Sequence, residues 1–263
     1  MLESLRMDRL SLKLAAVIFG LASSACYSVA PPPASNEIPN ETTRQIVRER
    51  LSAVVVTGRN ELGSWVNQKF SMANAPTDAD GGSAAPITED GYFLTADHVL
   101  AKSQGKNVFI IYGRGGNIVT KKARIVWRSR SDDLAILHIQ LKTPYYYNWT
   151  APDRWLPPGQ GIIHGGMATG FKSSPGKLRT ALAPEGAFTH NRRFKIDIPL
   201  QPGDSGGPVV DPFGNLIGIN SAVEYLVPLE TAIFIDSEGN RPSIHKINSI
   251  IQKDRLRNGV KFN

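Results

Sequence analysis

Short apolar stretches recur along this chain, and residues that favour turns separate them. They lie at 53–57, 92–96, 108–112, 124–127, 134–137, 208–210 and 232–235. The chain also contains 24 glycines and 18 prolines, and few of its segments have long helical spacing. Short apolar segments bounded by turn residues are typical of β-strands. The pattern therefore predicts an all-β fold.

Two other segments have the spacing of amphipathic helices. The first begins near Asn40, carries apolar side chains at Ile46, Val47 and Leu51, and leads into the first strand. The second covers 242–256 and places isoleucines at 244, 247, 250 and 251 on one face. We expect a short N-terminal helix, and a C-terminal helix that caps a barrel of strands.

The first 25 residues have the features of an export signal. A basic segment, 1–13, precedes an apolar segment, 14–22, that is too short to span a bilayer. Small residues then precede Cys26, the only cysteine, which resembles a lipoprotein processing site. Lipidation of Cys26 would anchor the protein to a membrane, and cleavage before Cys26 without lipid is the alternative. The Pro/Ser-rich segment 26–43 is expected to be a disordered or extended tether.

The formal net charge of +7 is spread along the chain. Such an excess is compatible with anionic surfaces such as lipid headgroups, although a solvated surface is the simpler interpretation. Nothing in the sequence predicts nucleic-acid binding. The histidines at 138, 164, 190 and 245 lack the spacing of metal ligands. We therefore expect neither a metal nor a cofactor.

Residues 203–208, Gly-Asp-Ser-Gly-Gly-Pro, place Ser205 among glycines. A serine hydroxyl is a weak nucleophile at neutral pH and needs an adjacent base. Glycines let the backbone turn so that successive N–H groups point at one place, where they can stabilise an oxyanion. The motif predicts a nucleophilic serine whose oxyanion hole is formed by the N–H groups of Gly203 and Ser205, with Asp204 between them. An ordinary turn is the alternative.

Candidates for the base and for its acidic partner precede the serine. His98 ends an apolar strand, and Asp133 stands directly before the apolar stretch 134–137. Histidine, aspartate and serine in this order form the triad of chymotrypsin-type enzymes. We expect Ser205 to attack a carbonyl, His98 to accept its proton and Asp133 to orient the imidazole. Asp132 is the alternative acid.

These motifs resemble those of trypsin-like serine proteases of the chymotrypsin clan, and most of all the bacterial Deg/HtrA-type branch. The resemblance is carried by Leu-Thr-x-x-His-Val at 94–99, Asp-Leu-Ala-Ile-Leu at 133–137 and Gly-x-Ser-Gly-Gly-Pro at 203–208. It covers about 45–255 and implies two six-stranded β-barrels with the active site in the cleft between them. The barrels would span about 50–143 and 155–236, within a protease domain at 44–257.

The sequence departs from that pattern at the residue before the serine. Asp204 stands where the Deg/HtrA-type branch usually has asparagine, and the chain lacks the Ile-Val-Gly-Gly terminus whose amine pairs with this acid in animal digestive proteases. We therefore expect Asp204 either to pair with another cation or to be solvated. Only about 28 residues follow the last apparent strand, too few for the PDZ domain that the Deg/HtrA-type branch carries.

The resemblance also implies a substrate pocket formed by residues on either side of the serine. Pro199 and Leu200 would line it before the serine, and Ser221, Ala222 and Val223 after it. Because no acid stands where it would bind a basic side chain, a preference for arginine or lysine is not expected. Val223 would narrow the pocket and favour small aliphatic side chains. The alternative is that these residues pack inside the second barrel.

The sequence thus predicts an exported, lipid-anchored serine endopeptidase that cleaves polypeptides through an acyl-enzyme. A non-proteolytic binding protein on a protease scaffold is the alternative from another class. A third interpretation is an esterase of the α/β-hydrolase type, with Asp236 and His245 as acid and base. That fold requires a helix directly after the serine, whereas the stretch 208–210 favours a strand.

Overall fold

The structure is a computed structural model that describes residues 33–62, 78–113, 118–170, 175–186, 192–226 and 233–259. At 223–226 and 233 it describes the backbone only. The predicted signal peptide at 1–25 and Cys26 therefore lie outside the described residues. Within them, no helix is long and apolar enough to cross a membrane.

Strands dominate the described part of the chain, and a helix lies near each end of it. The elements in chain order are α1 Glu41–Glu49, β1 Ser52–Thr57, β2 Asp80–Pro86, β3 Tyr92–Thr95, a 3₁₀ helix Asp97–Leu100, β4 Asn107–Tyr112, β5 Val119–Lys122, β6 Arg124–Ser129, β7 Leu134–His138, β8 Gly161–His164, β9 Gly176–Lys177, β10 Arg192–Ile196, β11 Pro208–Val210, β12 Leu216–Leu226, β13 Ile233–Arg241 and α2 Ile244–Asn258.

The strands form two curled antiparallel sheets. The first has the order β5-β4-β1-β2-β3-β7-β6, and the second has the order β10-β13-β12-β11-β8-β9. The first sheet has seven strands rather than the expected six because the segment that contains β5 and β6 is interrupted at Ala123. β5 pairs with β4 and β6 pairs with β7, and the Ala123 N–H donates to the Val108 carbonyl at 2.8 Å. This one segment therefore joins both edges of the sheet.

The second sheet also closes on itself. Leu178, directly after β9, forms a bridge with Ile196 at the end of β10, so the first and last strands of the sheet order meet. The prediction of an all-β fold with two barrels and two flanking helices is confirmed in this architecture. The prediction of six strands in each barrel is correct for the second sheet and one too few for the first.

Adjacent side chains of the second sheet belong to two different hydrophobic clusters. Ile162 and Val209 face the cluster inside the second sheet, whereas Ile163 and Val210 join the cluster that fills the first sheet. Successive side chains of a strand point to opposite faces, so β8 and β11 are buried on both sides. Strands buried on both sides need apolar residues at every position. This explains why their sequences do not alternate between polar and apolar residues.

The helix α1 lies against the second sheet. Its N-cap residue, Asn40, accepts the Thr43 N–H at 3.1 Å, and the Thr43 hydroxyl donates to the Pro212 carbonyl at 2.5 Å. Ile46 packs so closely over Gly214 that a Cβ there would come within 2.6 Å of its Cδ1 atom. The hairpin before β12 therefore requires a glycine where α1 crosses it.

The helix α2 is fixed to the first sheet by a buried carboxylate. Asp254 accepts the Tyr92 hydroxyl at 2.9 Å and both terminal nitrogens of Arg124 at 2.6 and 2.7 Å. The next residue, Arg255, binds both oxygens of Asp90 at 2.7 and 2.8 Å. Two-point pairing of this kind fixes orientation as well as distance, so α2 is held in place against β3 and β6.

Candidate active site

His98 lies on the 3₁₀ helix that follows β3. The preceding residue, Asp97, is buried and binds Arg128 of β6 through two contacts, at 2.6 and 3.1 Å. The Arg128 guanidinium also donates to the Asp97 carbonyl at 3.2 Å. These contacts fix the short helix to the first sheet. The His98 side chain itself is 48% exposed and faces the solvent side of the site.

Asp133 contacts His98 directly. It has a left-handed backbone with φ of 48°, which Asp tolerates better than most residues. Each of its carboxylate oxygens lies 3.0 Å from His98 Nδ1, and one oxygen also accepts the His98 N–H at 3.0 Å. The neighbouring Asp132 instead accepts the Ser129 hydroxyl at 2.8 Å and lies 3.4 Å from Lys246 Nζ. Of the two acids that the sequence left open, only Asp133 bonds to His98.

The His98–Asp133 contact shifts the pKa values of both groups. The hydrogen bond to Asp133 raises the pKa of His98 above 6.5, against the opposing effect of partial burial. Burial acts to raise the pKa of Asp133, but hydrogen bonds from His98 and Ser221 outweigh it, and that pKa lies below its ordinary value. An ionised carboxylate only accepts hydrogen bonds, so Nδ1 of a neutral His98 carries the proton and Nε2 is an acceptor. This is the tautomer that a general base requires.

Ser205 joins this pair through Ser221. The Ser205 hydroxyl donates to the Ser221 carbonyl at 3.3 Å, and the Ser221 hydroxyl donates to Asp133 at 2.5 Å. Among the hydrogen bonds of the described residues, none joins Ser205 Oγ to His98 Nε2. The structure therefore brings the three predicted residues into one connected set, with the serine hydroxyl turned toward a neighbouring carbonyl.

The segment before Ser205 forms a tight turn. The Asp204 N–H donates to the Gln201 carbonyl at 2.9 Å, and Pro202 and Gly203 occupy the central positions. Gly203 has a φ of +106°. A type II turn needs positive φ at its third residue and favours proline at its second. Among the described residues, no acceptor bonds to the N–H of Gly203 or of Ser205, so both of these donors remain available.

The glycine after the serine is required by close packing. Gly206 has a φ of +83°, and a Cβ there would lie 2.2 Å from the Ser83 carbonyl oxygen. Its N–H donates to the Asn220 carbonyl at 2.8 Å. Only a residue without a side chain allows β2 to approach the serine loop this closely. The motif therefore needs glycine at position 206 because β2 of the first sheet contacts the serine loop there.

Among the described residues, Asp204 has no cation partner, and its side chain is not solvated, contrary to both expectations for it. Its side chain is fully buried and accepts hydrogen bonds from neutral donors within the described residues. These donors are the Ala168 N–H at 3.1 Å, the Thr169 N–H at 2.9 Å, the Thr169 hydroxyl at 2.5 Å and the Gln201 N–H at 3.0 Å. A buried carboxylate needs such compensation. Asp204 thereby ties the turn at 201–204 to the loop after β8.

Comparison with known proteins places this site in a family. The sequence profile of the trypsin-like peptidase domain matches residues 82–219, slightly more than half of the chain. The chain belongs to the trypsin-like peptidase family. This range includes His98, Asp133 and Ser205, so the family assignment rests on the segments that form the site.

Several curated relatives of this chain are named DegP-like, which confirms the resemblance to the Deg/HtrA-type branch. The chain is 28% identical over 182 residues to a probable periplasmic serine endoprotease DegP-like of Rhizobium meliloti (strain 1021), covering 68% of this chain and 33% of that protein. It is 26% identical over 190 residues to a protein of the same name from Pseudomonas fluorescens, covering 65% of this chain and 38% of that protein. The chain thus spans about a third of the length of these relatives.

Solved structures of HtrA-type proteases share the fold. The HtrA-type protease AlgW with tripeptide has a TM-score of 0.56 and 22% sequence identity, covering 84% of this chain and 65% of that chain. Deg5 has a TM-score of 0.53 and 19% identity, covering 82% of this chain and 93% of that chain. At these identities the likeness establishes the chymotrypsin-like double barrel of the peptidase.

The residues expected to line the substrate pocket of the peptidase have different surroundings. Pro199 and Ala222 are exposed, whereas Leu200 is buried. The Ser221 hydroxyl bonds to Asp133, so this side chain is part of the hydrogen-bonded set around the triad. The Val223 side chain lies outside the described residues. The structure therefore brings Ser221 to the site, with the exposed Ala222 next to it in the chain, and leaves Pro199 open to solvent.

Two serines contribute contacts that sequence reasoning missed. Ser221 was expected only as a pocket residue, and Ser83 was not singled out. The Ser83 N–H donates to the Ser205 carbonyl at 2.8 Å, although the two residues are far apart in sequence. Neither serine belongs to a local motif, so no spacing signal could have found them. Among the described residues, no group of three or more His, Cys, Asp or Glu side chains is arranged to hold a metal ion.

Proposed function

We propose that this chain is an exported serine endopeptidase that hydrolyses peptide bonds through an acyl-enzyme. The observation that carries the proposal is the bond between His98 Nδ1 and Asp133 at 3.0 Å, linked through Ser221 to the hydroxyl of Ser205. Serine acyl transfer requires a base, an acid that orients the base, and a nucleophile, all within one hydrogen-bonded set. The available N–H groups of Gly203 and Ser205 add the stabilising donors.

The reaction follows from these groups. The Ser205 hydroxyl leaves the Ser221 carbonyl and turns to His98, whose Nε2 takes its proton as Oγ attacks the peptide carbonyl. The Gly203 and Ser205 N–H groups stabilise the resulting oxyanion, each by about 3 kcal/mol. Collapse of this tetrahedral intermediate breaks the C–N bond, and the leaving amine takes the proton from His98. Water then attacks the acyl ester by the same route and releases Ser205.

An extended polypeptide is the substrate class that the strands favour. β11 pairs with β12 only as far as Ile219, whereas β12 continues to Leu226 along β13. Asn220 still bonds to Gly206 and Gly207 of the serine loop. In the described residues, β12 beyond Asn220 therefore has strand pairing on one side only. An edge of this kind, beside Ser205, can bind an extended peptide through backbone hydrogen bonds. We expect uncharged side chains at the cleaved position.

Export is the second part of the proposal. The curated relatives are named periplasmic serine endoproteases, and the first 25 residues have the features of an export signal. We propose that the mature protein acts in the periplasm or cell envelope. We further propose that a lipid on Cys26 attaches it to a membrane through the N-terminal part of the segment 26–43. The C-terminal part of that segment is not a free tether, because the helix α1 begins at Glu41 and Thr43 is buried. Of this segment, residues 34–39 run along the start of β8, near Gly159 and Gly161.

A serine-directed probe tests the enzymatic proposal. The folded protein is incubated with a fluorophosphonate probe and, separately, with fluorescein-labelled casein. We expect a covalent adduct, which mass spectrometry maps to Ser205, together with cleavage of casein. A folded protein that is neither labelled nor active would instead support the binding protein on a protease scaffold. The esterase interpretation is not retained, because the strand β11 rather than a helix follows Ser205.

The pH dependence of the rate is expected to report on His98. Because the hydrogen bond to Asp133 raises the pKa of His98, the neutral base is lost as pH falls through a value above 6.5. The rate of casein cleavage should therefore decline through that region. The matched control is His245→Gln, which changes an exposed histidine of α2 and should leave the profile unchanged. A constant rate from about pH 8 to about pH 5, with the fold intact by circular dichroism, would exclude His98 as the base.

A further inference from the structure

Ser83 of β2 is fully buried, and its polar groups all bond to segments of the proposed active site. Its N–H donates to the Ser205 carbonyl at 2.8 Å, and its hydroxyl donates to the Gly203 carbonyl at 2.7 Å. The same hydroxyl accepts the Met167 N–H at 2.8 Å, and the Ser83 carbonyl accepts the Thr95 hydroxyl at 2.7 Å. The hydroxyl is thus oriented by a donor on one side and an acceptor on the other.

The two carbonyls that Ser83 binds belong to the residues whose N–H groups would form the oxyanion hole. Gly203 and Ser205 are separated only by Asp204. Each peptide unit is planar, so a hydrogen bond that fixes a carbonyl also fixes the plane of its peptide unit. This restricts the ψ angle of the residue that carries the carbonyl. Ser83 therefore restrains the backbone of both donor residues through their carbonyl groups. The side chain and the backbone of Ser83 together restrain the spacing between the N–H groups of Gly203 and Ser205.

Gly203 has no side-chain packing to hold its position, so its backbone hydrogen bonds matter. It has no side chain to pack, and even an added Cβ would be 3.5 Å from its closest neighbour, in Ala168. Its φ of +106° lies in a region that glycine can leave at little cost. The Ser83 hydroxyl binds its carbonyl directly, so removing this hydroxyl removes a restraint that no side-chain contact replaces.

Ser83 also connects the serine loop to the strand that carries the base. Thr95, whose hydroxyl binds the Ser83 carbonyl, is the last residue of β3 and lies three residues before His98. The same residue of β2 is therefore bonded to the strand that leads to the base and to the loop of the nucleophile. Acyl transfer requires the base, the nucleophile and the oxyanion donors to keep fixed positions relative to one another.

We propose that the Ser83 hydroxyl is a positioning group for the oxyanion hole, a role that rests on the function proposed above. Ser83→Ala removes the hydroxyl but keeps the backbone bond to Ser205. We expect kcat to fall by about ten- to a hundredfold, while KM stays unchanged, because small displacements of catalytic groups have effects of this order. The second-order rate of fluorophosphonate labelling should fall by the same factor. The acid limb of the pH profile should not move, since the His98–Asp133 contact is untouched.

The matched control is Ser52→Ala in the neighbouring strand β1. Ser52 is also buried, and its hydroxyl donates to the Arg50 carbonyl at 3.2 Å, away from the serine loop. Both variants lose a buried hydroxyl, so both should lose some stability. Only Ser83→Ala should lose kcat when the rate is divided by the fraction of folded protein. If Ser83→Ala does not fold, Ser83→Cys replaces it, because a thiol is only a weak hydrogen-bond donor.

Equal values of kcat per folded molecule in the Ser83 variant and in Ser52→Ala would overturn the inference. A loss that appears only in KM, or as a shift of the pH limb, would also overturn it. These results differ from a failure of the proposed function itself. In that case the wild-type protein would show neither labelling at Ser205 nor cleavage of casein.

Discussion

Ser205→Ala is expected to lower kcat for casein cleavage about a million-fold, the largest of the effects predicted for this protein. The hydroxyl is the proposed nucleophile, and no other described hydroxyl is bonded to the same Ser221 carbonyl. The variant should fold normally, because the lost side chain makes one hydrogen bond, at 3.3 Å, to a half-buried residue. We expect the free energy of unfolding to change by about 1 kcal/mol or less.

The measurement compares purified wild-type protein with Ser205→Ala on fluorescein-labelled casein, with urea unfolding of both. Ser52→Ala serves again as the control, since it removes a buried hydroxyl of the first sheet and should keep its activity. Fluorophosphonate labelling should disappear in Ser205→Ala alone. If the alanine variant retains the wild-type rate, the cleavage comes from another group or from a contaminating protease, and the proposed function is rejected.

Asp133→Asn is expected to lower kcat about ten-thousand-fold, the second largest of the predicted effects. The amide has the size of the carboxylate but carries hydrogens on one side. Asp133 accepts hydrogen bonds from His98 Nδ1, from the His98 N–H and from the Ser221 hydroxyl. If the amide NH₂ faces His98, it donates to Nδ1, and the imidazole proton moves to Nε2. His98 then cannot accept the proton of Ser205.

Asp132→Asn is the matched control, because it makes the same chemical change one residue earlier. The Asp132 carboxylate bonds to Ser129 and lies near Lys246, and it makes no contact with His98 among the bonds described. This variant should keep kcat within a few-fold of wild type. The opposite result, with activity lost in Asp132→Asn and kept in Asp133→Asn, would show that Asp132 rather than Asp133 orients His98. The proposed triad would then need to be redrawn.

The sequence was sufficient to predict the β class, many of the strands and the chemical groups of the site. Short apolar segments bounded by glycine and proline predicted the β architecture, because strand formation depends on local patterning. The order of His98, Asp133 and Ser205 predicted that a histidine, an aspartate and a serine would share one site. Gly203 and Gly206 were expected from the motif, and both have the positive φ values that glycine accommodates. In each case the information lies within a few consecutive residues.

The sequence could not supply the contacts between distant segments. Asp204 was expected to pair with a cation or to be solvated, but it is buried and binds the backbone of the loop after β8. That loop is not adjacent to it in the chain, so no local pattern predicts the bonds. The seventh strand of the first sheet is a similar case. It arises because one segment pairs with both edges of the sheet.

The choice between Asp132 and Asp133 shows the limit most directly. Both acids lie in the same turn, and the sequence offers only their position relative to β7. The left-handed backbone at Asp133, with φ of 48°, belongs to the residue whose carboxylate bonds to His98, while Asp132 bonds to Ser129. The sequence by itself therefore determined which chemical groups this protein carries and the strands that bear them. Tertiary structure alone decided which of these groups touch, because hydrogen bonds form between atoms close in space, and only the folded sheets bring β2, β7 and β12 together around Ser205.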